Sequence, residues 1–219
     1  MKSTNIDQSK KIAQILFKIG AITFSNSRPF RFDSGILSPV YVDNRILISY
    51  PNERKIVLSA LLDKIKTEIG KIDVIAGVAV AGIPHAAWIA DKLEKPMIFV
   101  RAKPKEHGKG NMVEGQIKKG QKVLIVEDLV STAGSSKRVI DAIRKIGGIV
   151  SDEISIYSHS LKASKDNFKK AKVKFHYLVD TKVAAKLAHE KGFLTTSQVD
   201  TILDWVKNPQ NWGKKMGYE

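Results

Sequence analysis

The sequence predicts an α/β protein with an open, mostly parallel sheet flanked by helices and a small N-terminal cap. Short apolar runs of the length of buried strands alternate with helical patterns from about residue 73 to 158. The runs are Val74–Val78, Met97–Val100, Val123–Val126 and Ile154–Tyr157. Such alternation predicts βαβ units, whose parallel strands share an edge at their carboxyl ends. Because ligands bind at that edge in open α/β sheets, candidate functional residues should follow the runs.

Helices between and beyond the strands are indicated by apolar residues at helical spacing, several of them before a glycine. The segments followed by a glycine are Ile12–Ile19, Ile56–Ile69 and Val139–Ile146, before Gly20, Gly70 and Gly147. Two more helices are expected in the tail, at Thr181–Lys191 and Ser197–Val206. Phe30–Arg45 instead mixes turn residues with alternating apolar ones, which predicts a short hairpin-like cap.

Length and composition favour one folded unit. The chain has 219 residues and 43% apolar residues, without repeats or a linker, so we expect residues 1–219 to form a single domain. The N-terminal helix and the cap would occupy residues 1–48 of it. The sequence has no cysteine, which excludes disulfides and thiolate nucleophiles and suits the cytoplasm. Val74–Ala90 is uncharged, but Gly77, Gly82 and Pro84 interrupt it, which favours a strand, turn and helix over a membrane span.

The formal net charge is +15, and a field of that sign attracts polyanions. Nucleic acids and phosphorylated small molecules both remain candidates on this ground. The densest group of lysines is expected to form a solvated face. It comprises Lys169, Lys170, Lys172 and Lys174.

The strongest functional pattern runs from Val123 to Lys137, before an amphipathic helix. A buried strand delivers Glu127 and Asp128 to the edge of the sheet, and a loop of small and hydroxyl residues, Ser131–Ser135, leads into the helix. Free backbone N–H groups, hydroxyls and the positive end of the helix dipole together make a phosphate cradle. Carboxylates beside a phosphate would repel it unless they bind a vicinal diol or hold a bridging cation, and a ribose 5-phosphate offers both a phosphate for the cradle and a diol for the acids. The pattern is neither a P-loop nor a G-x-G-x-x-G dinucleotide loop.

A second pattern is the cation-rich loop Arg101–Gly115, which follows the Met97–Val100 strand. Its glycines give it the backbone freedom of a lid, and its Arg, Lys and His side chains would stabilise a departing pyrophosphate. Taken alone, it is equally well explained as a solvated basic loop.

A third pattern, Gly77–His85, ends a strand in small residues and begins a helix led by proline. It leaves room for a ligand at main-chain amides, although small residues also allow close helix–sheet packing. His85 is expected to be structural, and His159 has no acid at a spacing that suggests a catalytic triad. No group of residues has the spacing of metal ligands.

Glu127–Ser135 closely resembles the phosphoribosyl pyrophosphate motif of type I phosphoribosyltransferases, and the chain looks like the orotate members of that family over nearly its whole length. Phe30–Arg45 is similar to the family's substrate hood, Arg101–Gly115 to its mobile catalytic loop, and Val173–Trp212 to the tail of one branch. The resemblance implies transfer of a phosphoribosyl group to orotate, giving orotidine 5'-monophosphate and pyrophosphate for UMP biosynthesis. Magnesium would sit on the pyrophosphate, with no direct protein ligand.

The resemblance also implies roles for individual residues. Glu127 and Asp128 would hold the ribose hydroxyls and Ser131–Ser135 the 5-phosphate, with Ser131 also near orotate. The full donor-binding set is Glu127, Asp128, Leu129, Val130, Ser131, Thr132, Ala133, Gly134 and Ser135, and the pyrophosphate loop is Ala79, Val80, Ala81 and Gly82. The catalytic residues would be Arg101, Lys105 and His107. They would reach into the neighbouring subunit's site in a homodimer, with no nucleic-acid or membrane partner.

The acceptor side departs from better-known members of the family. Ala102 stands where many relatives have a lysine, and Asp33 occupies a hood position where a lysine is common. An Asp-Arg pair that often follows the fourth core strand is replaced by Tyr157–His159. A transferase for another base therefore stays open as an alternative, as does a nucleic-acid-binding regulator that keeps the fold as a donor sensor.

Overall fold

The computed structural model describes residues 2–25, 28–32, 35–103 and 112–218, and it places a six-stranded sheet at their centre. In chain order the helices are α1 (Lys2–Lys18), α2 (Pro51–Glu68), α3 (Gly82–Leu93), α4 (Gly134–Lys145), α5 (Lys162–Ala171), α6 (Thr181–Glu190), α7 (Thr196–Lys207) and α8 (Pro209–Lys215). The strands are β1 (Ile22–Phe24), β2 (Phe30–Arg31), β3 (Leu37–Ser38), β4 (Val40–Val42), β5 (Val74–Val78), β6 (Met97–Val100), β7 (Val113–Glu114), β8 (Lys122–Val130), β9 (Ile149–Ser158) and β10 (Lys174–Asp180). A 3₁₀ helix, Asn44–Ser49, joins β4 to α2.

The central sheet has the order β10-β9-β8-β5-β6-β7, and only the short edge strand β7 runs antiparallel to its neighbour. The connection through α3 leads from β5 towards β6, whereas the connection through α4 leads from β8 towards β9. The chain therefore leaves the two central strands in opposite directions, which opens a crevice at their carboxyl ends. The predicted fold class, an open and mostly parallel sheet flanked by helices, is confirmed.

Buried apolar residues explain why the central strands form where the sequence predicts them. All five residues of β5 are buried, as expected for a strand covered by helices on both faces. β8 and β9 extend beyond their apolar runs, because the two strands continue to pair through Glu127 with Ser155 and through Val130 with Ser158. Glu127 and Asp128 consequently lie within the strand and not after its end.

Two apolar cores lie against the sheet. The larger includes Leu16 of α1, Leu61 of α2 and Trp205 of α7, and the other includes Ile140 of α4 and Phe168 of α5. Over the ranges described above, no helix has the length and apolarity needed to cross a membrane.

The N-terminal part forms two small antiparallel pairs, β1 with β4 and β2 with β3. We call the β2–β3 pair, residues 30–32 and 35–38 within the predicted substrate hood Phe30–Arg45, the hood. In the hood Phe30 pairs with Ser38 and Arg31 with Leu37. The indole Nε1 of Trp205 in α7 donates a hydrogen bond to the Leu37 carbonyl at 2.8 Å, so the C-terminal helices help to hold the hood.

Candidate active site

The crevice between β5 and β8 is narrow because α3 begins directly against β8. A Cβ atom added to Gly82 would lie 2.5 Å from the Val126 carbonyl oxygen and 3.3 Å from Glu127 Oε1. No side chain fits at that distance, so Gly82 allows the 79–82 loop to approach the acidic end of β8. The structure thus brings the predicted pyrophosphate loop and the predicted donor segment to one place.

Glu127 and Asp128 are neighbours on β8, and their carboxyl groups carry an electrostatic penalty. Burial, followed by repulsion from Asp128, raises the pKa of Glu127 well above its usual value. Burial also raises the pKa of Asp128, against the opposing effect of Glu127, of nearby backbone N–H groups and of Arg45. The Asp128 amide donates to Glu127 Oε1 at 3.1 Å. Hydrogen-bond donors or a positive charge entering the crevice would relieve this penalty.

Two residues that the sequence analysis did not single out support Asp128 from the 3₁₀ helix. The Asn44 side chain is buried, and its Nδ2 donates to the Asp128 carbonyl at 2.8 Å. Arg45 Nε donates to Asp43 Oδ1 at 2.6 Å, and the Arg45 charge also acts on Asp128. The Asp-Asn-Arg sequence of residues 43–45 could have indicated the start of a helix. Nothing in it indicates that Asn44 bonds to Asp128, which lies 84 residues away.

The start of α4 offers backbone amides to the crevice. Ala133 precedes the helix with a φ of 63°, in the left-handed region, and no side chain caps the helix. The first helical hydrogen bond runs from the Lys137 amide to the Ala133 carbonyl at 3.1 Å. The amides of Gly134–Ser136 therefore lack acceptors within the helix and lie at its positive end, as an anion-binding turn requires.

The loop before α4 is anchored from two other elements. The Asn167 side chain of α5 donates to the Thr132 carbonyl at 2.9 Å, and the His159 amide donates to the Val130 carbonyl at 3.0 Å. Ser131, Thr132 and Ser135 are half-buried, so their hydroxyls are accessible at the crevice. The segment from Leu129 to Ser135 is thus a supported turn, fixed on both sides of the loop.

Arg101 lies at the base of the predicted lid. Its amide donates to the Met112 carbonyl at 2.9 Å, and its guanidinium lies 3.6 Å from Glu114 of β7. These contacts hold together the two ends of the loop. Lys105 and His107, the other predicted catalytic residues, lie outside the described residues.

A largely buried aromatic cluster lies at the end of β9, where the hood contacts the crevice. Phe32 of the hood stacks on His159 with ring centroids 5.6 Å apart, and Trp205 meets the same imidazole edge-on at 5.0 Å. The Tyr157 hydroxyl donates to Thr181 Oγ1 at 3.1 Å, and Thr181 Oγ1 lies 2.9 Å from His159 Nδ1. Burial lowers the pKa of His159 to about 3, so the ring is neutral. The sequence analysis discounted His159 as a triad residue and noted it as a departure from the family, and it placed Thr181 and Trp205 in helices without indicating their contacts with His159.

A metal centre built from side chains is not found within the described ranges, where no three His, Asp or Glu residues are grouped to hold an ion. A crevice of this kind suits an ion that arrives with the ligand's own oxygens. Mg²⁺ in particular is often bound through substrate phosphates and retained waters.

The comparisons with known proteins agree with this geometry. Residues 49–191 match the family model "Phosphoribosyl transferase domain". The chain therefore belongs to the phosphoribosyltransferase family. It is 44% identical over 207 residues to the orotate phosphoribosyltransferase of Coxiella burnetii (strain RSA 493 / Nine Mile phase I), covering 94% of this chain and 99% of that one. Within the family it belongs with the orotate phosphoribosyltransferases.

Two solved structures extend the similarity. The orotate phosphoribosyltransferase from Aeropyrum pernix is 28% identical with a TM-score of 0.72, over 84% of this chain and 99% of that one. Leishmania donovani UMP synthase is 27% identical with a TM-score of 0.76, over 90% of this chain. The match spans only 42% of the UMP synthase chain.

Proposed function

We propose that this chain transfers the 5-phosphoribosyl group of phosphoribosyl pyrophosphate to orotate, giving orotidine 5'-monophosphate and pyrophosphate for UMP biosynthesis. The observation that carries the donor half is the continuous path from the acid pair of β8 to the uncapped start of α4, with Gly82 packed beside it. The orotate half is supported by the relatives at 42–44% identity over more than nine-tenths of the chain.

On the donor side, Glu127 and Asp128 would accept hydrogen bonds from the two ribose hydroxyls. Those bonds favour the ionised carboxylates and so offset the burial that raises the pKa of both acids. The amides of Gly134–Ser136 and the hydroxyls of Ser131, Thr132 and Ser135 would hold the 5-phosphate. The 79–82 loop, which packs on Glu127 through Gly82, would receive the pyrophosphate.

In the transfer, the acceptor's ring nitrogen attacks the anomeric carbon as the bond to pyrophosphate breaks. Positive charge develops on the ribose and negative charge on the leaving group, so catalysis requires groups that stabilise charge as it appears. Arg101, Lys105 and His107 would act on the leaving pyrophosphate. Magnesium bound to the pyrophosphate would supply further neutralisation, held mainly by oxygens of the donor.

On the acceptor side, the hood would cover orotate and Ser131 would approach it from the donor loop. The His159 imidazole holds the hood through Phe32 and the His159 backbone amide holds the donor loop through Val130, so both substrates would be placed relative to one residue. A neutral ring at this position leaves recognition of the orotate carboxylate to other groups.

The proposal includes a homodimer in which the lid of one subunit completes the site of the other, in the cytoplasm. Ile48, Tyr50 and Ile56 lie close together in sequence at the start of α2 and remain more than one third exposed. A second copy placed over this surface would remove their apolar area from water.

The experiment is a comparison of bases. The purified protein is mixed with phosphoribosyl pyrophosphate, magnesium and one of orotate, uracil, adenine or hypoxanthine, and pyrophosphate release is measured. We expect release with orotate to exceed release with each other base by at least about 100-fold, as for sites that recognise a substrate through polar groups. Preference for a purine would support the alternative of a transferase for another base, and a folded protein inert with all four would overturn the proposal.

A further inference from the structure

A buried acid lies directly behind the proposed phosphate cradle and has no part in the mechanism above. Glu153 of β9 is fully buried, and the Ser136 hydroxyl donates to its Oε1 at 2.6 Å. Its other oxygen, Oε2, has no hydrogen-bond partner. Burial of an ionised acid without a cationic partner in an apolar core is strongly unfavourable, so the protonation state of Glu153 matters.

The position of Ser136 connects this acid to the cradle. Ser136 is the third residue of α4, and its amide is among those without an acceptor in the helix. Glu153 therefore fixes, from the sheet side, the same helical turn whose amides face the crevice. A change in Glu153 is transmitted to the cradle through one short hydrogen bond.

The surroundings of Glu153 favour its neutral form. Its strand partners are Ile125 on β8 and Phe175 on β10, and α4 presents the Ser136 hydroxyl. The titratable group coupled to it from β8 is another acid, Glu127, whose pKa Glu153 helps to raise. Burial raises the pKa of Glu153 to about 8, so the carboxyl keeps its proton at neutral pH. Ionisation would place a negative charge behind a turn proposed to bind phosphate.

Building on the proposed function, we propose that Glu153 is a positioning residue for the donor: it accepts the Ser136 hydroxyl and so fixes the first turn of α4, and its proton keeps a negative charge from lying behind the phosphate-binding amides. The donor site would then weaken as the solution becomes alkaline. A glutamine at this position keeps the shape and the acceptor oxygen but cannot ionise.

The test uses ribose 5-phosphate, which carries the 5-phosphate without the pyrophosphate, and follows its dissociation constant by calorimetry from pH 7.0 to 9.5. The second pKa of a phosphate monoester is about 6, so the ligand itself does not change charge in this range. For the wild type we expect affinity to fall by about tenfold across the range, as protonated Glu153 is depleted. Glu153→Gln should match the wild type at pH 7.0 and keep its affinity at pH 9.5.

Two more variants complete the design. Asp152→Asn changes the neighbouring acid on β9, on the opposite face, and should keep the wild-type alkaline loss. Ser136→Ala removes the connecting hydroxyl and should weaken binding at every pH. Thermal unfolding of each variant establishes that it is folded.

The outcomes separate this inference from the proposed function. An alkaline loss in Glu153→Gln equal to that of the wild type would overturn the role of Glu153, even if orotate turnover is established. A Glu153-dependent loss in a protein that does not consume orotate would support the role of Glu153 and contradict the acceptor. Failure of the folded wild type to bind ribose 5-phosphate at pH 7.0 would overturn both.

Discussion

The donor and acceptor sides of the crevice are built in different ways. The ribose-phosphate part of the proposed donor side is one continuous stretch, from Val123 to Lys137, in which a strand, a turn and a helix start follow each other. The acceptor side joins Phe32, His159 and Trp205, which come from three distant parts of the chain. Local sequence therefore determines the proposed ribose-phosphate site, whereas tertiary packing determines the proposed acceptor side. Substitutions should separate the two.

The largest loss of turnover is expected for Gly82→Ala, which disrupts the close contact between the 79–82 loop and β8. The added methyl group would meet the Val126 carbonyl at 2.5 Å, so α3 must move away from the acids. We expect turnover to fall at least about 100-fold, since displacement of a positioned group by about 1 Å costs that much. Gly70→Ala is the control, because a methyl group there meets no atom within 4 Å. Equal activity of both variants would contradict the close packing of loop and acid.

The next effect is expected for Asp128→Ala, which removes one of the two acids but leaves the Asn44 bond to the backbone carbonyl. The fold should persist, and kcat/KM should fall by about 100-fold because charge-assisted hydrogen bonds in a buried site are lost. Steady-state kinetics with both substrates measures the loss. Asp141→Asn on the exposed face of α4 is the control. Wild-type kinetics in Asp128→Ala would remove Asp128 from the donor site.

His159→Phe is expected to act mainly on the acceptor side. The ring stack with Phe32 is kept, and Tyr157 still donates to Thr181, but Thr181 loses its buried contact with the imidazole, which costs about 1–3 kcal/mol of stability. We expect the KM for orotate to rise several-fold, while the dissociation constant of ribose 5-phosphate stays within about twofold of the wild type, since the backbone bond to Val130 remains.

The matched control for this prediction is His85→Phe. His85 is also buried beside a tryptophan and also has an unpartnered Nε2, but it lies on α3, away from the hood. It should leave the KM for orotate unchanged. An equal rise in both variants would mean that the acceptor side responds to any loss of a buried histidine.

The smallest effect concerns stability and follows from Glu153. Its pKa is raised from 4.5 to about 8 on folding, so between these values the folded protein keeps a proton that the unfolded chain has lost. The contribution of this proton to stability is complete below about pH 4.5 and is lost as pH rises towards 8. Glu153→Gln lacks this dependence. Its Tm should exceed that of the wild type by more at pH 8 than at pH 5, as measured by calorimetry, and an equal difference at both would contradict a buried neutral acid.

The sequence predicts well those features that depend on residues adjacent in the chain. The apolar runs of β5, β6, β8 and β9 carry the fold class, and all of them form strands. The acid pair and hydroxyl loop indicate the donor chemistry because strand, turn and helix start are adjacent in the chain. Lys169, Lys170, Lys172 and Lys174 are exposed, as their density predicts.

What the sequence does not predict depends on distant contacts. β10 carries polar residues at Lys174 and His176 and forms because it pairs with β9 along most of its length. α5 has few apolar residues and is positioned by Phe168, which stacks on Phe175. The roles of Asn44, Thr181 and Trp205 likewise depend on partners far along the chain, and no local pattern indicates them.

The hydrogen bond between Trp205 and Leu37 has a consequence for the order in which parts of the protein fold. It joins residues 168 positions apart, so the hood is synthesised long before Trp205 and cannot form this bond until Trp205 has been added. The cradle residues precede Trp205 by about 70 positions and can assemble earlier. A nascent chain should therefore gain the capacity to retain ribose 5-phosphate before it gains the capacity to select a base.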